Sequence, residues 1–307
     1  MTEKLDTRLR RAVPLLLRPW DEARIVIVGV GGTGSWLAVQ AGRLIRVLEA
    51  RGKKARLTLV DPDIVEEKNI SRQNFCDADL AGDDGKPLHK ATSLAFRLSL
   101  SWGINVSAIT EPFDPHLLED YPYPSYERSA ERLTVVVGAV DNAQARSAIF
   151  KVLEANHSFE APRFFVLDCG NLAAGADGNE SGQVLLGSAS SPEGMQHAFR
   201  IRNACIALPS PALQAPDLLM ARQEEGDQSP LSCAEIAQAN TQGLMINPMI
   251  AMIAAQYLFA MFVTGKLTRF ATYVDVHSGT MSSEYITPET LARVISKDPT
   301  FFARKER

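Results

Sequence analysis

"VIVGVGGTGS", Val26 to Ser35, is the stretch on which the reading of the fold turns. Ile25 to Gly29 are apolar or small and read as a buried strand. Gly29, Gly31 and Gly34 then fit G-x-G-x-x-G, and Trp36 to Leu48 continues with apolar residues at helical spacing. Strand, glycine turn and helix in that order make a phosphate-binding element. Glycine permits the tight turn and lets backbone come close to phosphate, while the helix N-terminus offers unpaired N–H groups and a partial positive charge. The loop by itself fits NAD, FAD and ATP alike, and a tight strand-to-helix turn can carry glycine with no ligand.

Around this element strands and helices alternate. Strand 25–29, helix 34–50, strand 56–61, helix 88–101 and strand 104–109 are followed by a polar, Pro- and Tyr-rich insertion at 111–132. Strand 133–138, helix 142–157 and strand 163–168 come next. The pattern predicts an α/β fold, a Rossmann-like and mainly parallel sheet with helices on both faces. Residues 1–22 read as a basic amphipathic helix ending near Pro19, and 23–187 as the nucleotide-binding domain. Residues 188–230 hold five of the chain's 17 prolines without clean periodicity and read as a crossover loop. Residues 231–307 supply two helices (231–241 and 243–264), an antiparallel hairpin (270–276 with 281–286) and a short helix after Pro288, completing the same domain.

Bulk properties exclude several classes. The 307 residues include 32 basic and 36 acidic ones, a formal charge of −4, so no overall basic footprint points to nucleic acid. The charged start "MTEKLDTRLRR" has no apolar signal core, and Cys76, Cys169, Cys205 and Cys233 stand singly; both suit a reducing cytoplasm. Leu244 to Val263 is long enough to span a bilayer. Asn247, Pro248, Gln256 and Tyr257 within it favour a helix buried in a large domain over a membrane span. The five histidines share no ligand spacing, so no structural zinc is expected.

The ligand is narrowed by the residues after the second strand, "VDPDIVEEKNISRQNF", Val60 to Phe75. Asp61 ends the strand where a carboxylate can accept both ribose hydroxyls, with Asp63 as the second choice. Arg72 and Lys90, with Lys86 close by in "GKPLHK", place cations near the point where strand order reverses. Asp141 in "VGAVDNAQAR" ends the fourth strand and faces the same crevice. Cations with a lone carboxylate suit a triphosphate and its magnesium ion, because they neutralise the phosphates and anchor the metal. Hydride transfer needs neither.

In order and rough spacing, "GVGGTG", "VDPDIVEEKNISRQNF", "GKPLHKA" and "VDNAQAR" resemble the adenylating superfamily that contains ThiF, MoeB and the ubiquitin-activating enzymes. The resemblance is clear over residues 20–190 and looser over 230–286, and the D-x-D-x-V-x-x-x-N-x-x-R-Q string is its most specific part. "LPSPALQAPDLL" is also similar to the ThiF-type member of PRTRC gene systems. The resemblance implies that Gly29, Gly31, Gly32 and Gly34 line the phosphates and that Asp61 holds the ribose. It implies that Asn69, Arg72 and Gln73 face the phosphates, that Lys90 or Lys86 is the phosphate lysine, and that Asp141 carries Mg2+. Family members use ATP to activate the C-terminal carboxylate of a ubiquitin-like or sulfur-carrier protein ending in Gly-Gly, releasing pyrophosphate. A conjugating enzyme and a homodimer are the partners this implies, with neither nucleic acid nor membrane.

The chain departs from the family in two respects. Its relatives' paired C-x-x-C zinc motifs are absent from the sequence. The N-terminal arginine string that reaches a partner subunit's nucleotide is replaced by Arg8, Arg10 and Arg11 in a poor match. Cys233 in "SPLSCAEIAQAN" falls in the first turn of the helix at 231–241, where the positive helix end favours thiolate. It resembles the position at which ThiF-like members accept the activated acyl group, with Cys205 as the rival. Two other readings stand beside adenylation: an NAD-dependent oxidoreductase, for which no proton-transfer residue is evident, and a non-catalytic subunit that keeps the fold.

Overall fold

A computed structural model describes residues 7–82, 85–118, 132–156, 160–172, 180–220 and 244–302. Among the described residues eight strands form one sheet: β1 Glu22–Val28, β2 Lys54–Val60, β3 Val106–Ile109, β4 Arg132–Gly138, β5 Phe164–Leu172, β6 Ser181–Gly187, β7 Arg269–Asp275 and β8 Thr280–Tyr285. Their spatial order is β3-β2-β1-β4-β5-β6-β7-β8. The first five run parallel, and β6, β7 and β8 continue the sheet antiparallel. The α/β reading with a mainly parallel sheet and a C-terminal hairpin therefore holds.

Among the described residues seven α-helices accompany the sheet: α1 Gly32–Ala50, α2 Glu67–Ile70, α3 Lys90–Trp102, α4 Ala143–Phe150, α5 Pro211–Gln214, α6 Ile246–Phe259 and α7 Pro288–Val294. α1, α3 and α6 pack together on one face, while α4 and α5 lie on the other. Covering both faces explains why the central strands read as continuous apolar runs. Ile25, Ile27, Val135, Val137, Phe164 and Phe165 are all buried in one core. Each such side chain contributes roughly 1.5–3 kcal/mol on leaving water. α6 carries the long apolar stretch and is long enough with its continuation to Thr264 to cross a membrane. Here it packs against α1, β5 and β6, and Tyr257 is buried with its hydroxyl 2.9 Å from Thr272 Oγ1 on β7.

Three stretches differ from expectation. Over the described residues, the helix expected at 1–22 is a single 3-10 turn, Thr7–Arg11, followed by extended chain. Pro14 has no N–H and biases the residue before it toward extended backbone. The strap bonds sideways instead: Val13 N–H to the Ile286 carbonyl, Leu15 N–H to Leu267 and Leu16 N–H to Cys205. β6 had no strand signal, because only Val184, Leu185 and Leu186 are core residues between two glycines. Both glycines are demanded by neighbours: a Cβ at Gly187 would overlap the Pro209 carbonyl, and one at Gly182 would come 2.8 Å from Ile250. Residues 188–220 are aperiodic as expected, yet packed. Gln214 Nε2 donates to the Leu186 and Pro209 carbonyls, and Met195, Cys205 and Leu208 are fully buried. Residues 221–243, with the helix expected at 231–241, lie outside the described residues.

The register places the functional end of the sheet. Val28 sits between Val60 and Gly138, and Gly138 pairs with Asp168. The C-terminal ends of β2, β1, β4 and β5 therefore lie side by side, and strand order reverses between β1 and β4, where open α/β sheets bind ligands. Gly34, inside α1, meets the Gly29 carbonyl with no room for a Cβ, whereas a Cβ at Gly42 would find Ile104 at an ordinary 3.4 Å. Gly34→Ala should cost ~3 kcal/mol or more in urea unfolding. Gly42→Ala should be neutral or slightly stabilising, since alanine is the better helix former. Equal effects would contradict the packing at Gly34.

Candidate functional site

The glycine loop is wedged between β2 and β4. Gly29 takes φ +82°, donates its N–H to the Val60 carbonyl at 2.9 Å, and lies so close to Ala139 that a Cβ would be 2.5 Å from its carbonyl oxygen. Gly31 stands at the N-cap of α1 with no side-chain cap, so the first N–H groups of a 19-residue helix face the crevice. Such a terminus attracts anions.

Asp61 follows β2 directly and is 5% exposed. Its Oδ2 accepts the Val30 N–H at 2.6 Å and its Oδ1 the Asp63 N–H at 2.9 Å, so it clamps the β2 end to the glycine loop. Each oxygen keeps a lone pair for a further donor such as a ribose hydroxyl. Burial raises the carboxyl's pKa, opposed by these two N–H bonds and by nearby Lys90. Lys90 opens α3, is 7% exposed, and reaches Asp63 Oδ2 at 2.8 Å. Lys86 lies exposed on the preceding loop. Of the two lysines, Lys90 is the one set into the crevice beside Asp61.

The N-x-x-R-Q string docks on the first turn of α1. Asn74 N–H donates to Ser35 Oγ, and Trp36 Nε1 donates to the Arg72 carbonyl. Asn69 is buried because it caps α2: its Oδ1 accepts the Glu66 N–H at 2.8 Å. The Gln73 amide lies 3.8–3.9 Å from where a Gly31 Cβ would be. Its Oε1 and Arg72 Nε are buried without a hydrogen-bond partner among the described residues. A polar ligand at this turn would meet both atoms.

Asp141 is exposed after β4, on a loop tied to the β1 end by the Ala139 N–H bond to the Val28 carbonyl. Asn142 donates to its Oδ1 at 3.4 Å and itself caps α4. Beneath this loop is a buried pair that the residue pattern does not single out. Arg146 Nε lies 3.3 Å from Asp168 Oδ1, and Arg146 Nη2 donates to the Val140 carbonyl at 2.7 Å. A carboxylate inside the apolar run "FFVLDC" was the signal available for it. Asn247 and Asn171 were missed likewise; they meet at the start of α1, where Thr33 Oγ1 donates to Asn247 Oδ1 at 3.2 Å.

Among the described residues no group of three or more His, Cys, Asp or Glu is placed to hold a metal. Magnesium needs no such cage when one carboxylate acts with phosphate oxygens and water, so Asp141 fits the ion. Of the thiols, Cys205 is fully buried, donates to the Ala207 carbonyl, and is pushed up to about 12 by burial; Cys169 is pushed up too. Neither is a ready nucleophile. Cys76 is exposed, and Cys233 lies outside the described residues.

Residues 7–159 match the sequence profile of the ThiF family. That span is a ThiF-family domain. The matched span contains the glycine loop, Asp61, the N-x-x-R-Q string, both lysines and Asp141. Over 131 residues the chain is also 29% identical to ubiquitin-activating enzyme E1 2 of Arabidopsis thaliana. That alignment covers 43% of this chain and 11% of the relative, so the chain spans a small part of that protein's length.

Asp168 lies beyond the ThiF match and carries its own signature. Burial raises its carboxyl from 3.8 to about 6, with Arg146 pulling down. The folded state therefore binds this proton more tightly than the unfolded chain. Its contribution to stability is full below about pH 4 and lost as pH rises through 6. The stability advantage of wild type over Asp168→Asn should shrink across that window in urea titrations. Parallel curves from pH 4 to 7 would contradict the assignment.

Proposed function

We propose that this chain uses ATP to adenylate the C-terminal carboxylate of a ubiquitin-like or sulfur-carrier protein. The supporting observation is convergence: the open α1 N-terminus, Asp61, Lys90, Arg72, Gln73 and Asp141 meet at one edge of the sheet, within the span that matches the family. In this reading a carboxylate oxygen of the carrier attacks the α-phosphorus. The bond to the β-phosphate oxygen breaks, and its electron pair leaves with pyrophosphate. Holding two anions together is the difficulty, and it is met by preorganised positive charge. The α1 N–H groups and Lys90 face the phosphates, Arg72 neutralises the leaving group, and Asp61 holds the ribose. Magnesium bound through Asp141 would add charge against the phosphate oxygens.

The acyl group then passes to Cys233. Its thiolate attacks the acyl carbon and displaces AMP, forming a thioester. The sequence around Cys233 supports this step, and the burial of Cys205 supports Cys233 over it. A Gly-Gly carrier, a conjugating enzyme, a homodimer, a cytoplasmic setting and membership of a PRTRC system complete the same reading.

ATP–pyrophosphate exchange tests it. Asp141→Ala should lower exchange by ~10²-fold with the cognate carrier, a typical loss for a transition-state electrostatic group. Full exchange in that variant would overturn the magnesium role. Cys233→Ala should retain exchange yet form no thiol-sensitive conjugate with the carrier on a non-reducing gel. A conjugate persisting in Cys233→Ala would show that the wrong cysteine is named.

A further inference from the structure

Asn247 stands in the first turn of α6, outside the family match, and is 7% exposed. An amide buried in the apolar run "INPMIAMIAAQYLF" is costly unless its polar atoms are bonded. Only one end of it is. Oδ1 accepts from Thr33 Oγ1 at 3.2 Å and from Asn171 Nδ2, which orients the amide and leaves Nδ2 as the free end. Nδ2 has no partner among the described residues.

That free donor lies on the glycine loop. A Cβ at Gly32 would be 2.7 Å from Nδ2 and 2.8 Å from Cγ, so the amide plane rests on Gly32 and needs a glycine there. On the other side of the same turn is the Gln73 amide, also buried, with Oε1 unpartnered among the described residues. The N-termini of α1 and α6 thus meet at Asn247, and both helix ends favour negative charge. Uncapped N–H groups, a free amide donor and two helix termini share one chemistry, recognition of an anionic oxygen.

We propose that Asn247 is a binding residue that donates from Nδ2 to an anionic oxygen at the start of α1. The oxygen belongs either to a nucleotide phosphate or to the carboxylate that reacts with it. Thr33 and Asn171 act as positioning residues that aim the donor. The choice between the two oxygens rests on the adenylation reading; the donor itself rests on the geometry.

Calorimetric titration of the full-length chain with MgATP, without carrier, is the first measurement. Asn247→Ala should weaken ATP binding about 10-fold or more if the oxygen is phosphate, as expected for a hydrogen bond to a charged group. If the oxygen is the carrier's carboxylate, ATP affinity stays and the carrier's KM in exchange rises by a similar factor. Asn247→Asp is the second variant: it keeps Oδ1 for Thr33 and Asn171, so its ligand-free Tm should stay near wild type. It presents a carboxylate oxygen to the anion, and the affected ligand should weaken at least as much as in the alanine variant. Unchanged ATP affinity and carrier KM in a folded Asn247→Ala would overturn the Asn247 assignment alone. Wild type binding no ATP would take the adenylation reading and this inference down together.

Discussion

Where α1 leaves β1, Gly34 lies against the Gly29 carbonyl with no room for a side chain, and Gly29 is pressed against Ala139. This approach of backbone to backbone holds the helix start at the edge of the sheet, between the loops that follow β2 and β4. The other features of the site use that position. Asp61 reaches the Val30 N–H because the loop passes directly over the β2 end. The N-x-x-R-Q string reaches Ser35 and Trp36 because the first turn of α1 is presented to it. Asn247 rests on Gly32 for the same reason.

The charged groups around this edge are held rather than loose. Lys90 is paired with Asp63, Arg146 with Asp168, and Asp61 is bonded through both oxygens. A buried ion pair adds little net stability, because desolvation offsets the attraction, but losing one partner is costly. What such pairs supply is orientation. Arg146 also binds the Val140 carbonyl, so the buried pair fixes the path of the loop carrying Asp141. Gln73 Oε1, Arg72 Nε and Asn247 Nδ2, which have no hydrogen-bond partner among the described residues, lie around the α1 N-terminus. Arg72 Nε and Asn247 Nδ2 are donors and suit an anionic oxygen, whereas Gln73 Oε1 is an acceptor.

Much of this is legible in the sequence where the signal is local. The alternation of strands and helices, the glycine turn and the position of Asp61 at a strand end all come from periodicity and spacing. The N-terminal strap was not legible, since "LRRAVPLLLRPW" has a helical distribution of charge but spends its backbone N–H groups on Ile286, Leu267 and Cys205. β6 was hidden by the glycines its neighbours demand. Lys90 and Lys86 read alike in sequence, and the fold buries Lys90 beside Asp61 and Asp63 while Lys86 stays exposed.

Sequence by itself determined the parallel core of the sheet and its glycine turn, because strand, turn and helix are specified over a few residues by hydrophobic period and glycine geometry. It also determined which residue types stand at the strand ends, since those positions depend on where each apolar run stops. Only tertiary structure decided that Arg146 pairs with Asp168, and that Asn171 and Thr33 orient Asn247. These partners are separated by 22, 76 and 214 residues, and their contact depends on β5 and α6 being brought against the glycine loop. A side chain's neighbours across such distances are set by sheet order and helix packing, and neither is written in the local pattern around it.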